Sequence, residues 1–87
     1  MMGPTEKKRT KFEIIVDILT ACINGADREE IAIRSNLSYE ILMEYIRFLV
    51  DFKMLNPENQ GKEVYFTSEK GINLLSRFAE IRFILCA

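Results

Sequence analysis

The sequence predicts a mainly helical domain that carries one small β-hairpin and ends in a long helix. Three observations lead there. Apolar residues make up 48% of 87 residues, enough for one modest core and too many for a disordered tail. Helical apolar patterns recur in four segments, punctuated by Asn24-Gly25, by Asn36-Leu37 and by the polar tract from Asn56 to Gly61. Around that tract lie Met54-Leu55 and the aromatic, β-branched run Val64-Tyr65-Phe66-Thr67, the signature of two short strands.

Each element has its own local reason. Residues 1–9 are expected to form a flexible basic arm, because Gly3-Pro4 breaks helices and the one basic cluster, Lys7, Lys8, Arg9 and Lys11, is offset only by Glu6. Thr10 caps a first helix. From Phe12 to Ile23 its polar positions, Glu13, Asp17 and Thr20, followed by Asn24, make one narrow stripe, so this helix is buried on most sides. Asn24-Gly25 ends it, since glycine accepts a left-handed backbone cheaply. Asp27 and Glu30 have capping-box spacing and start a short helix from Arg28 to Ser35. Ile31 faces inward, and Ile33 is a second inward candidate. Asn36 tolerates positive φ in the turn, Leu37 plugs the corner, and Ser38 caps a third helix that runs to about Phe52. Leu42, Tyr45, Ile46, Leu49 and Val50 form its core side. Ser68 caps the last helix, from about Glu69 to Leu85.

A short helix, a tight turn and a longer helix make a helix-turn-helix. The two strands that follow make its wing. The predicted architecture is therefore a winged helix-turn-helix over residues 10–67, with residues 68–87 as a further helix. On that last helix Leu74, Phe78, Ile81 and Leu85 recur at spacings of four, three and four, and Phe83 lies on a second apolar strip. One small domain covers one strip, so the other is expected at a homodimer interface. The predicted interface residues are Leu74, Phe78, Ile81, Phe83 and Leu85.

Composition excludes several classes of function. There is no histidine, and the two cysteines, Cys22 and Cys86, make no metal or redox motif. Cys22 falls within the apolar pattern as a core thiol, and Cys86 is expected to be free. No nucleophile constellation, phosphate-cradling loop or carboxylate pair is present, so neither an enzyme nor a cofactor is expected. No apolar run is long enough to span a membrane and no signal peptide is evident, which points to a cytoplasmic protein.

Three stretches, "KFEIIVDIL", "SNLSYEILMEYI" and "YFTSEKGINLL", resemble in order and spacing the archaeal winged-helix DNA-binding proteins, a family of predicted transcriptional regulators. The resemblance covers residues 9–80. Asn36, Leu37, Ser38 and Tyr39 fill its turn motif. Tyr65, Thr67, Glu69, Lys70 and Gly71 fill the motif between wing and last helix, with Ser68 where the family more often has threonine. The resemblance implies a DNA-binding regulator, often dimeric through the C-terminal helix. The candidate contacts to double-stranded DNA are Lys7, Lys8, Arg9 and Lys11 in and beside the arm, Arg34, Ser38, Tyr39, Met43 and Arg47 in the helix-turn-helix, and Lys62 in the wing.

The chain departs from a simple DNA reader in its charge. Formal net charge is −1, so affinity for a polyanion must come from local clustering. At 100° per residue, Glu40, Glu44, Arg47 and Asp51 share the outward stripe of the third helix. The alternative is a winged-helix protein–protein module whose acidic stripe meets a basic partner.

Overall fold

The structure, a computed structural model, describes residues 9–86. The basic residues Lys7 and Lys8 lie outside that range. The elements are α1 (Lys11–Ala21), α2 (Arg28–Ser35), α3 (Tyr39–Asp51), β1 (Leu55–Asn59), β2 (Glu63–Thr67) and α4 (Glu69–Cys86).

Local chemistry accounts for the helix boundaries. Thr10 and Glu13 form a capping box at the start of α1, and Asp27 and Glu30 form another at α2, each satisfying two otherwise orphaned backbone N–H groups. α1 ends at Ala21, two residues before the expected Ile23. Asn36 takes φ 56°. Beside it the Leu37 N–H donates to the Ala32 carbonyl and the Asn36 N–H to that of Ile33, the pairing of a Schellman stop. The same device closes α3 with Lys53 at φ 64°, its N–H donating to Val50 O while Met54 N–H donates to Leu49 O. Ser38 caps α3 by accepting from the Ile41 N–H, and Ser68 caps α4 by accepting from that of Gly71.

β1 and β2 pair antiparallel, with Leu55 opposite Thr67 and Asn59 opposite Glu63. The strand thus runs through Asn56-Pro57-Glu58-Asn59, which sequence reasoning assigns to the turn. Proline is tolerated there for a geometric reason. The N–H and C=O of Tyr65, opposite Pro57, are both bonded to Ala26 on the other side of β2. Pro57 therefore occupies a pair that needs no N–H donor. The Ala26–Tyr65 bridge also gives the hairpin a single-residue third strand.

The core draws Ile18 and Leu19 from α1 and Cys22 from its C-cap, Ile31 from α2, and Leu42, Ile46 and Leu49 from α3, closed by Ala26, Leu55 and Tyr65. Ile33 does not join Ile31 inside; it is 79% exposed. It follows Ile31 by two residues, about 200° around the helix. Burial pushes the Cys22 thiol pKa up to about 12, partly opposed by Arg34.

α4 enters this core by its first turn. Gly71 is buried, and a Cβ there would lie 2.6 Å from Thr67 Cγ2 and 2.8 Å from the Met54 carbonyl. Only glycine allows so close an approach of helix to hairpin. Around it Thr67 Oγ1 donates to Leu19 O, Ser68 Oγ to Lys53 O and Lys70 Nζ to Phe52 O. Leu74 and Leu75 then pack on the core, and Phe78 meets Phe12 edge-on with ring centroids 4.8 Å apart. Beyond that point the helix leaves the domain, and Ile81, Phe83, Ile84 and Leu85 are exposed. Among the described residues no helix is long and apolar enough to cross a membrane.

Candidate nucleic-acid interface

α3 lies with Leu42, Ile46 and Leu49 buried and Tyr45 and Val50 half-buried. That orientation leaves Glu40, Glu44, Arg47 and Asp51 all exposed. No ion pair joins Glu44 to Arg47 among the described residues, so the stripe presents three carboxylates and one guanidinium to solvent. Ile41, Phe48 and Phe52 are exposed beside it, and the two rings sit 4.5 Å apart.

The N-terminal end of α3 has a different character. Ser38 and Tyr39 are exposed there. Arg9 folds back against α1, pairing with Asp17 at 2.7 Å, and its second terminal nitrogen donates to the Asn36 carbonyl in the turn before α3. From the other side Arg28, the first residue of α2, donates to the Tyr39 hydroxyl at 3.1 Å. The same guanidinium donates to Glu63 Oε1 at 2.8 Å and to the Tyr65 hydroxyl at 3.3 Å, and Tyr65 in turn donates to Glu63. These hydrogen bonds to Tyr65 and Tyr39 raise the Arg28 pKa. One residue away, Lys62 Nζ meets Asp27 at 2.6 Å. Their hydrogen bond is the largest influence on both, lowering the Asp27 pKa and raising that of Lys62.

The remaining sequence candidates are scattered. Lys11 is exposed at one wall of a groove shared with Ile15, Glu44, Tyr45 and Phe48. Arg34 is exposed and donates to the Ala21 carbonyl at the end of α1. Met43 is half-buried against the core, and with Arg47, Asp51, Pro57 and Glu63 it lines a cleft of about 250 Å³ between α3 and the hairpin. The structure therefore gathers Arg9, Ser38, Tyr39 and Arg28 around one end of α3, with Lys62 beyond them on the wing. Arg47 stands among the acids of α3 and lines one cleft with Arg28.

Sequence reasoning does not single out Arg28, because its partners are 11, 35 and 37 residues away. One local signal exists. A cation in the first turn of a helix opposes the macrodipole, so an arginine there invites a search for other partners. Among the described residues no group of three or more His, Cys, Asp or Glu side chains is placed to hold a metal ion.

The model of a family described as winged helix-turn-helix matches residues 8–85. The chain belongs to the winged helix-turn-helix family. No curated protein matches it. Among solved structures it is similar to Sso10a-2, a DNA-binding protein from Sulfolobus solfataricus. That likeness has a TM-score of 0.76 and 27% identity, covering 88% of this chain and 85% of the other. The family match spans the helix-turn-helix, the wing and nearly all of α4, in line with the family expected from the turn and wing motifs.

Proposed function

We propose that this chain binds double-stranded DNA as a homodimer and regulates transcription. The observation that carries the reading is the exposed N-terminal end of α3, where Ser38 and Tyr39 stand beside Arg9 and are tied to the wing through Arg28. The similarity to a DNA-binding protein supports it. Free N–H groups and the positive end of the dipole make a helix start a natural phosphate seat. Glu40 stands in the first turn of α3, and Glu44 and Asp51 lie farther along, so DNA is met where a single acid is flanked by Arg9, at the end of this helix more than along its length. Arg47 reaches the groove, and Arg34, Lys11, Lys7 and Lys8 add cationic contacts at the margins. A half-buried Met43 contributes shape at most.

The homodimer rests on α4. Ile81, Phe83, Ile84 and Leu85 are an apolar end with no cover from their own domain. Of the residues expected at the interface, Leu74 and Phe78 already pack within the chain, which leaves Ile81, Phe83 and Leu85 to meet a second copy. Sedimentation at tens of micromolar tests this directly, and a clean 10.1 kDa species refutes the dimer.

A gel-shift series with random duplex DNA at two salt concentrations tests the DNA reading. Affinity is expected to fall steeply with salt, by a log–log slope of about 0.9 per phosphate contact. Removal of residues 1–9 is expected to weaken binding and flatten that slope. Equal binding by the shortened chain would remove the arm from the interface. The second reading, a protein–protein module, is favoured by the exposed Ile41, Phe48 and Phe52 beside the carboxylates. It gains if no shift appears even at low salt.

A further inference from the structure

We infer that Arg28 is a positioning residue that sets the wing against the start of α3, and that its main role is not to touch DNA. The inference rests on the DNA reading for its purpose but not for its geometry. The guanidinium joins three groups on two other elements: the hydroxyl of Tyr39, the first residue of α3, and the Tyr65 hydroxyl and Glu63 carboxylate of β2. A planar fork with five donors holds such partners at fixed angles, which an ammonium does not.

The neighbouring ion pair makes the junction specific in register. Asp27 meets Lys62 and Arg28 meets Glu63, so the cap and first residue of α2 carry opposite charges and their partners on the wing carry the reverse. A slip of one residue would set Arg28 against Lys62, or Asp27 against Glu63, and like charges would face each other. The backbone bridge between Ala26 and Tyr65 lies under the same junction, with N···O distances of 3.1 and 2.9 Å. Arg28 thus locks a contact that a single bridge residue holds weakly.

The position also disfavours a direct phosphate role. Glu63, Asp27 and Glu29 surround Arg28 and Lys62 in the recess between α2 and the wing, so a phosphate there would meet more acid than base. What the junction supplies is a constant separation between the end of α3 and the wing, the two parts that must meet DNA together.

Amide exchange and DNA binding of the full chain test this with Arg28→Lys and Arg28→Gln. Arg28→Lys keeps the charge and loses the fork. Exchange at the Ala26 and Tyr65 amides is expected to speed up about tenfold, the loss of one charge-assisted hydrogen bond, with the Leu49 amide unchanged. DNA affinity is expected to fall several-fold at constant salt slope. Unchanged exchange at Ala26 and Tyr65 overturns the proposal. So does a drop of about 0.9 in the salt slope of Arg28→Gln, because that marks a lost phosphate contact. If the parent chain shifts no duplex, the DNA reading fails and the amide result alone decides the positioning role. Glu63→Gln weakens the same fork from the wing side and is expected to loosen the same two amides.

Discussion

The two ends of α4 make opposite use of one helix. Its first turn is pressed so closely onto the hairpin that residue 71 has no room for a side-chain carbon. Its last two turns carry Phe83, Ile84 and Leu85, each more than 70% exposed. The near end begins with the charged Glu69 and Lys70 and the far end is apolar, so composition alone would bury the wrong end. What separates them is length: at about 1.5 Å per residue an 18-residue helix outruns the small domain it is packed on. The near end belongs to the fold, and the far end is left uncovered by its own domain.

That contrast can be broken at several points. Gly71→Ala strikes the near end hardest, because its Cβ meets a backbone carbonyl that has no way to swing aside. Overpacking of this kind costs about 2 kcal/mol, and thermal denaturation is expected to show a Tm lower by about 8–16 °C for a domain of this size. Phe78→Ala lies at the crossover. It removes the edge-on contact with Phe12 and the stacking of Arg82, whose guanidinium carbon is 5.7 Å from the ring centre. A loss of about 1–2 kcal/mol is expected in urea titration. Phe83→Ser combined with Leu85→Ser touches only the far end. At high dilution, where the chain is monomeric, the midpoint is expected to move by under about 0.5 kcal/mol, while sedimentation loses the dimer. A large fall in monomer stability would place these two residues inside the fold after all.

The smallest effect comes from pH. Asp27 has its pKa lowered in the folded chain, first by the Lys62 hydrogen bond and then by the Glu30 N–H. Its contribution is therefore complete above the ordinary value of 3.8 and is lost as pH falls through the lower folded value. Lys62 runs the other way: its raised pKa gives a contribution that is present below the ordinary lysine value and lost as pH rises through the raised one. A lower protection factor at the Tyr65 amide on acidification, after correction for the intrinsic exchange rate and ahead of global unfolding, is the expected sign. A protection factor that stays flat as pH falls from 3.8 through the lower folded value would show that the pair does not bear on the wing.

Local signals were legible and distant ones were not. Asp27 with Glu30, Asn36 and Ser38 mark helix ends within four residues of themselves, and the structure places those ends where the residues put them. Asn56 to Asn59 misled for the same reason. They are turn formers by local chemistry, and only their pairing with Val64 and Phe66 makes them a strand. The outward stripe of α3 followed from helical spacing alone. The Arg28 fork did not, since sequence separation hides it, and nothing local shows that Phe78 packs inward, because its partner Phe12 lies on α1.

Cys22 offers a practical consequence. With its sulfur sealed in the core and its proton held to about pH 12, it is nearly inert to alkylating reagents at neutral pH. In a Cys86→Ser background, its modification rate becomes a clock for global opening. Each variant described above could then be ranked by a single mass-spectrometric time course, without denaturant.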